Sequence, residues 1–103
     1  MASEVIKILM TWDIRPDREA EYFEFVMKEF APGLMRLGVQ PTEAWYTAYG
    51  ESPQILTGAV AADLESMSRA LNSEEWRQLK ESLFNLVENY EQKIVHASGR
   101  FQM

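Results

Sequence analysis

The 103-residue chain has no cysteine, one histidine, five glycines and four prolines. The missing cysteine excludes disulfides, thiolate zinc sites, iron–sulfur clusters and a cysteine nucleophile. A single histidine excludes a multi-histidine metal centre, so neither metal nor cofactor is expected. Basic residues are also in short supply. Ten Lys and Arg against sixteen Asp and Glu leave a net charge of −6, which repels nucleic-acid backbones and anionic lipid surfaces. The longest apolar runs are about five residues, far below the ~20 that a membrane span needs. The N-terminus has no basic start, continuous apolar stretch or small-residue cleavage site. The expectation is therefore a cytoplasmic protein with neither nucleic acid nor membrane as partner. No serine-hydrolase elbow, phosphate-binding loop or dinucleotide fingerprint occurs.

What is present suffices for one core. Hydrophobic residues make up 47% and charged residues 25%, the balance of one globular domain over residues 1–103. Val5 to Ile14 alternates, with Ile6, Ile8, Met10, Trp12 and Ile14 apolar and Lys7, Leu9, Thr11 and Asp13 mixed. That period of two predicts a strand with one buried face. Pro16 then suits a helix start, followed by Asp17, Glu19 and Glu21 at the positive end of the helix dipole. Phe23, Val26 or Met27, Phe30, Leu34 and Leu37 form a helical stripe. Pro32-Gly33 predicts a kink or break near Glu29 to Ala31, and Gly38 a C-terminal cap.

Val39 to Gly50, carrying Trp45, Tyr46 and Tyr49, reads as a strand with Pro41 near its start or on a sheet edge. Gly50-Glu51-Ser52-Pro53 turns the chain, and Gln54 to Ala62 completes a hairpin. Asp63 caps a short helix through Leu64, Met67 and Leu71. Asn72 with Glu75 has capping-box spacing and opens a second helix with Trp76, Leu79, Leu83, Leu86 or Val87, and Tyr90 on one stripe. Lys93 to Phe101 reads as the last strand. Trp12 and Trp76 are expected in the core, and Met10, Met27, Met35 and Met67 as gap-fillers. The lone Gly58 inside a strand suggests a bulge or tight packing.

The order strand, helix, strand, strand, helix (in two pieces), strand defines an α+β chain. It is the ferredoxin-like βαββαβ arrangement, a four-stranded antiparallel sheet with both helices on one face. Its other face stays bare. Leu9, Ile94 and some of Ile55, Trp45 and Tyr49 are expected there, mixed with Thr11, Asp13, His96 and Arg100. Apolar patches above a few hundred Å² are rare on soluble monomers. A second copy, sheet against sheet, is the simplest cover, so a homodimer about a two-fold axis is expected.

Candidate chemistry gathers on that face. His96 is the acid–base candidate, because imidazole titrates nearest neutral pH. Asp13 shares a strand face with Thr11 and is expected to approach His96 or Arg100, as an orienting carboxylate or an ion pair. Trp45, Tyr46 and Tyr49 are candidates to stack on a flat apolar ligand, with Thr11 and Arg100 beside Trp45 and Tyr49. Alternation sends Tyr46 to the face opposite the other two. A hydrogen-bonded interface histidine and aromatic packing contacts are the structural alternatives for the same residues.

The Trp45-Tyr46-x-x-Tyr49-Gly50 strand end, the Pro53-Gln54-Ile55 strand start and the Asn72-Ser73-x-x-Trp76 helix opening resemble the dimeric α/β-barrel superfamily, NIPSNAP-like and stress-responsive members above all. The resemblance implies two ferredoxin-like subunits sharing a barrel, with a pocket within it or between each sheet and its helices. It covers activities as different as cofactor-free monooxygenases of aromatic polyketides, haem-degrading enzymes, lactone isomerases and polyketide cyclases. The haem-degrading pattern, an Asn on the first strand with a His in the second helical region, is not met. Two readings follow. One is a homodimer of unassigned function that binds a small hydrophobic or aromatic molecule. The other is a cofactor-independent monooxygenase, isomerase or cyclase in which His96 moves the proton, Arg100 or Tyr49 stabilises the oxyanion and Trp45 stacks on the substrate.

Overall fold

The computed structural model describes residues 5–47 and 54–96. Strand β1 (Ile6–Ile14) leads into α1 (Glu19–Phe25), a π-helical turn (Val26–Phe30) and α2 (Ala31–Arg36). The hairpin β2 (Gln40–Tyr46) and β3 (Ile55–Ala61) follows, then α3 (Leu64–Leu71), α4 (Glu74–Phe84) and β4 (Val87–His96). The strands lie in the order β2-β3-β1-β4, with every neighbouring pair antiparallel. This is the expected ferredoxin-like α+β topology.

The alternation of β1 is realised residue by residue: Ile6, Ile8, Met10, Trp12 and Ile14 are buried, and the residues between them are half-exposed. Trp12 organises the core beneath the helices. It stacks on Tyr90 at 5.8 Å, meets Phe30 and Tyr22 edge-on, and its Nε1 donates to the Tyr22 hydroxyl at 3.0 Å. Tyr90 reaches it because β4 carries an extra residue opposite the Thr11–Asp13 stretch, where Asn89 adopts a left-handed φ of 59°. Such a bulge re-aims the next side chain.

Several local expectations are corrected. Pro16 and Asp17 form a turn closed by Arg18 N–H donating to the Arg15 carbonyl, with Asp17 at φ 67°, so α1 begins only at Glu19. A positive φ at the third position is type II turn geometry. Tyr22, not Phe23, faces the core, because its hydroxyl satisfies Trp12; Phe23, Met27 and Met35 are exposed. The break before Pro32 takes the form of a π turn in which Ala31 N–H reaches back to the Val26 carbonyl. Proline then sits in the first turn of α2, where its missing N–H costs nothing. Gly38 ends that helix at φ 84°.

Ser73, not Asn72, caps α4 by accepting from Trp76 N–H, while Asp63 caps α3 by accepting from Ser66 N–H. The last helix stops at Phe84, so Val87 and Tyr90 belong to β4, which starts six residues earlier than Lys93. Ile55 pairs with Trp12 and is buried under the helices, and Ile94 pairs with Ile8 at the edge of that same face. Neither belongs to the bare side.

Candidate functional site

Register assigns the uncovered face. Lys7, Leu9, Thr11 and Asp13 on β1 stand beside Val60, Gly58 and Leu56 on β3, Glu43 and Trp45 on β2, and Val95, Lys93, Glu91 and Glu88 on β4. Thr11 and Trp45 share one row across it, with Leu56 between them, and Trp45 is 64% exposed. An open concavity of about 440 Å³ is lined there by Leu9, Thr11, Leu56, Glu91, Gln92 and Lys93. Among the described residues the helices do not reach this side.

His96 does not join that group. It pairs with Ile6, whereas Asp13 pairs with Glu88. Seven positions of β1 therefore separate them, about 24 Å at ~3.4 Å per residue, and they point to opposite faces. The register rules out an Asp13–His96 pair within one protomer. Asp13 is instead a structural acceptor, taking the Gln54 N–H at 2.8 Å and the Asn89 amide at 2.9 Å. Tyr49 and Arg100 lie outside the described residues.

A second recess lies on the helix side. Val26 and Phe30 from the π turn, Leu34 from α2, Pro41 and Ala44 from β2 and Thr57 from β3 wall a cleft of about 310 Å³. Two backbone irregularities border it. One is the π turn; the other is a register shift between Pro41 and Glu43, which leaves Thr42 unpaired. π turns and bulges occur preferentially beside functional sites. Tyr46, 61% exposed, stands two residues beyond Ala44 on the same strand face.

Of the residues bordering the cleft only Glu43 is charged, and the register turns its side chain to the open face, over Gly58 toward Lys7. Its carboxylate accepts from the Thr42 hydroxyl at 2.6 Å and from the Lys7 ammonium at 2.9 and 3.0 Å. The Thr42 hydroxyl foremost, and Lys7 after it, hold its pKa below the ordinary glutamate range. A carboxylate stabilised this way is a poor base. Thr57 is likewise committed, its hydroxyl donating to the Glu43 carbonyl at 2.9 Å. The cleft is thus an apolar slot with a satisfied polar rim. The resemblance implies a pocket between sheet and helices, and Tyr46 is a candidate stacking aromatic, but the sequence does not single out the residues lining the cleft. Pro32 inside an apolar stripe and Pro41 inside a strand were the available signals.

Among the described residues no cluster of three or more His, Cys, Asp or Glu could hold a metal ion, and no helix is long and apolar enough to cross a membrane.

The topology and the half-covered sheet define a chain with the fold of the dimeric α/β-barrel proteins. Individual structures make that concrete. A NIPSNAP family protein from Agrobacterium tumefaciens superposes with a TM-score of 0.70 at 19% identity, over 98% of this chain and 91% of its own. A NIPSNAP-like domain protein from Burkholderia xenovorans gives 0.68 at 18% identity, over 100% of this chain and 92% of its own. A variant of SnoaB, a cofactor-independent oxygenase from Streptomyces nogalater, gives 0.68 at 20% identity, covering 99% and 98%. At such identities the likeness speaks to fold. No protein-family model matches the chain, and no curated protein sequence does.

Proposed function

We propose that the protein is a homodimer, closed sheet against sheet, that holds a small hydrophobic or aromatic molecule in the helix-side cleft of each protomer. One observation carries this reading: the two recesses lie on opposite faces of the sheet. Leu9, Leu56, Val60, Val95 and Trp45 give the open face an apolar floor suited to a second sheet. The cleft beside the π turn stays accessible when that face is covered. Its volume, about 310 Å³, is near the lower end of small-molecule pockets (~300–1,000 Å³), which suits a compound of one or two rings.

Sedimentation equilibrium with a melting-temperature screen of apolar and aromatic compounds tests both parts. A dimer is expected, with at least one compound raising the melting temperature of the wild type but not of Ala44→Trp, which fills the cleft. A stable 11.9 kDa particle at micromolar concentration overturns the dimer. A ligand response untouched by Ala44→Trp overturns the cleft.

The full-length likeness to SnoaB favours a second reading, a cofactor-independent monooxygenase, isomerase or cyclase acting on an aromatic or enolisable substrate. Such chemistry needs a base at the ligand; the side chains facing the cleft supply none and Glu43 turns away to Lys7 on the other face, so binding stands first. Dioxygen uptake over a panel of hydroxylated aromatics, absent in the heat-denatured control, would reverse that order.

A further inference from the structure

Among the described residues every lysine and arginine but one has a carboxylate or an aromatic ring beside it. Lys7 holds Glu43, Arg15 faces Glu88, and Arg36 crosses to Glu75. Arg18, Lys28, Arg69 and Arg77 pair along their own helices or helix starts. The Lys80 ammonium sits within 6 Å of the rings of Trp76, Phe84 and Tyr90. Lys93 is the exception, and among the described residues Glu91, two residues away on the same strand face, has no ion-pair or hydrogen-bond partner either. Both border the open-face concavity. Alternate residues of a strand are ~7 Å apart, within side-chain reach, yet the two do not pair with each other. Their strand is an edge of the sheet, bonded to β1 on one side, and all of Glu91–His96 but Val95 is exposed.

We propose that β4 of a second copy runs antiparallel beside this β4 about a two-fold axis at Gln92, so that Glu91 of each copy meets Lys93 of the partner subunit. The inference rests on the homodimer reading and adds where the two facing sheets join, along their β4 edges, and in which register. Residues equidistant from a two-fold axis face each other's counterparts, and 91 and 93 flank 92. An axis at 91 would set glutamate against glutamate, and one at 93 lysine against lysine. Like charges directly opposite are destabilising, so the sequence disfavours both neighbouring registers while favouring this one. Leu9 and Leu56, beside the pair, supply the apolar area such an interface needs.

Charge reversal tests the register by sedimentation. Glu91→Lys alone and Lys93→Glu alone each place like charges together at two symmetric points, and each is expected to weaken self-association at least ~tenfold. Mixing the two variants should restore a mixed dimer, and the doubly reversed chain should dimerise with itself. If a reversed variant fails to fold by circular dichroism, Glu91→Gln and Lys93→Gln replace the pair. Each should then weaken the dimer, the double variant no more than either single. A wild-type dimer whose single variants associate unchanged, or do not rescue one another, overturns the register alone. A monomeric wild type overturns the homodimer and the register together.

Discussion

Lys7 on β1 reaches Glu43 on β2, two strands away, by passing over Gly58 on β3. A Cβ on Gly58 would lie 2.7 Å from the Lys7 Cε and 3.4 Å from the Glu43 carboxyl carbon. Glycine at this point therefore serves a side chain crossing above it, and its own φ is not left-handed. The pair is half-buried and ties the edge strand to the centre of the sheet. An ion pair so placed is less screened than a fully exposed one, and carries a larger desolvation cost as well.

Gly58→Ala should displace Lys7 and destabilise the protein by about 1 kcal/mol, the lost contact outweighing the strand propensity gained from alanine. Urea unfolding checks this. In a Lys7→Ala background, where that contact is already gone and nothing crosses above position 58, Gly58→Ala should no longer destabilise.

Tyr22→Phe should be costly for its size. It strands the Trp12 Nε1–H, buried with 1% exposure, and an unsatisfied buried donor costs ~1–3 kcal/mol. Phe23→Leu, one position along and facing solvent, should change stability by less than ~0.5 kcal/mol. Equal effects would contradict the core orientation described above.

Stability should have a flat window bounded on both sides. Glu43, Asp63 and Glu74 are held below their ordinary values by Thr42 and Lys7, by Ser66, and by Arg77 respectively. A depressed carboxyl contributes stability that is present above its unfolded value, near 4.5 for glutamate, and lost as pH falls through its folded one. Burial raises Tyr22 and Tyr90 above the usual 10.0. Their contribution is present below that value and is lost as pH rises past it toward the raised folded value. Melting temperature should therefore be level from about pH 5 to 9 and fall on either side. Glu43→Gln should soften the acid edge, and Tyr90→Phe the alkaline one.

His96→Ala should leave ligand-induced melting shifts unchanged, because His96 pairs with Ile6 while the cleft is bordered by β2 and the π turn. Loss of the ligand response would return His96 to the candidate site.

The legible parts of the fold were those where chemistry differed between faces. The strict apolar alternation of β1 fixed its buried side, and element order fixed the topology. β4 offered no such contrast. Ile94 and Val95 are both apolar, so neither parity was preferred, and His96 was assigned to the face opposite its real one. A one-residue choice moves every side chain to the other side. No glycine or proline separates Leu83 from Val87, so the helix stripe ran on into the strand. The left-handed Asn89, which swings Tyr90 under Trp12, has no strong local signal of its own. The alternation of β1 placed Thr11 on the correct face. Trp45 was one of three residues, with Ile55 and Tyr49, of which only some were expected there, and Ile55 lies on the other side.

The π turn between Val26 and Phe30 amounts to one surplus residue in an otherwise ordinary helix, and one residue is ~100° of phase. Everything after it, Leu34 included, is rotated by that much relative to α1. Chain length over this stretch, more than any side chain, thus meters how far the helical wall stands from Pro41 and Ala44. Excising Lys28 would act like removing a shim.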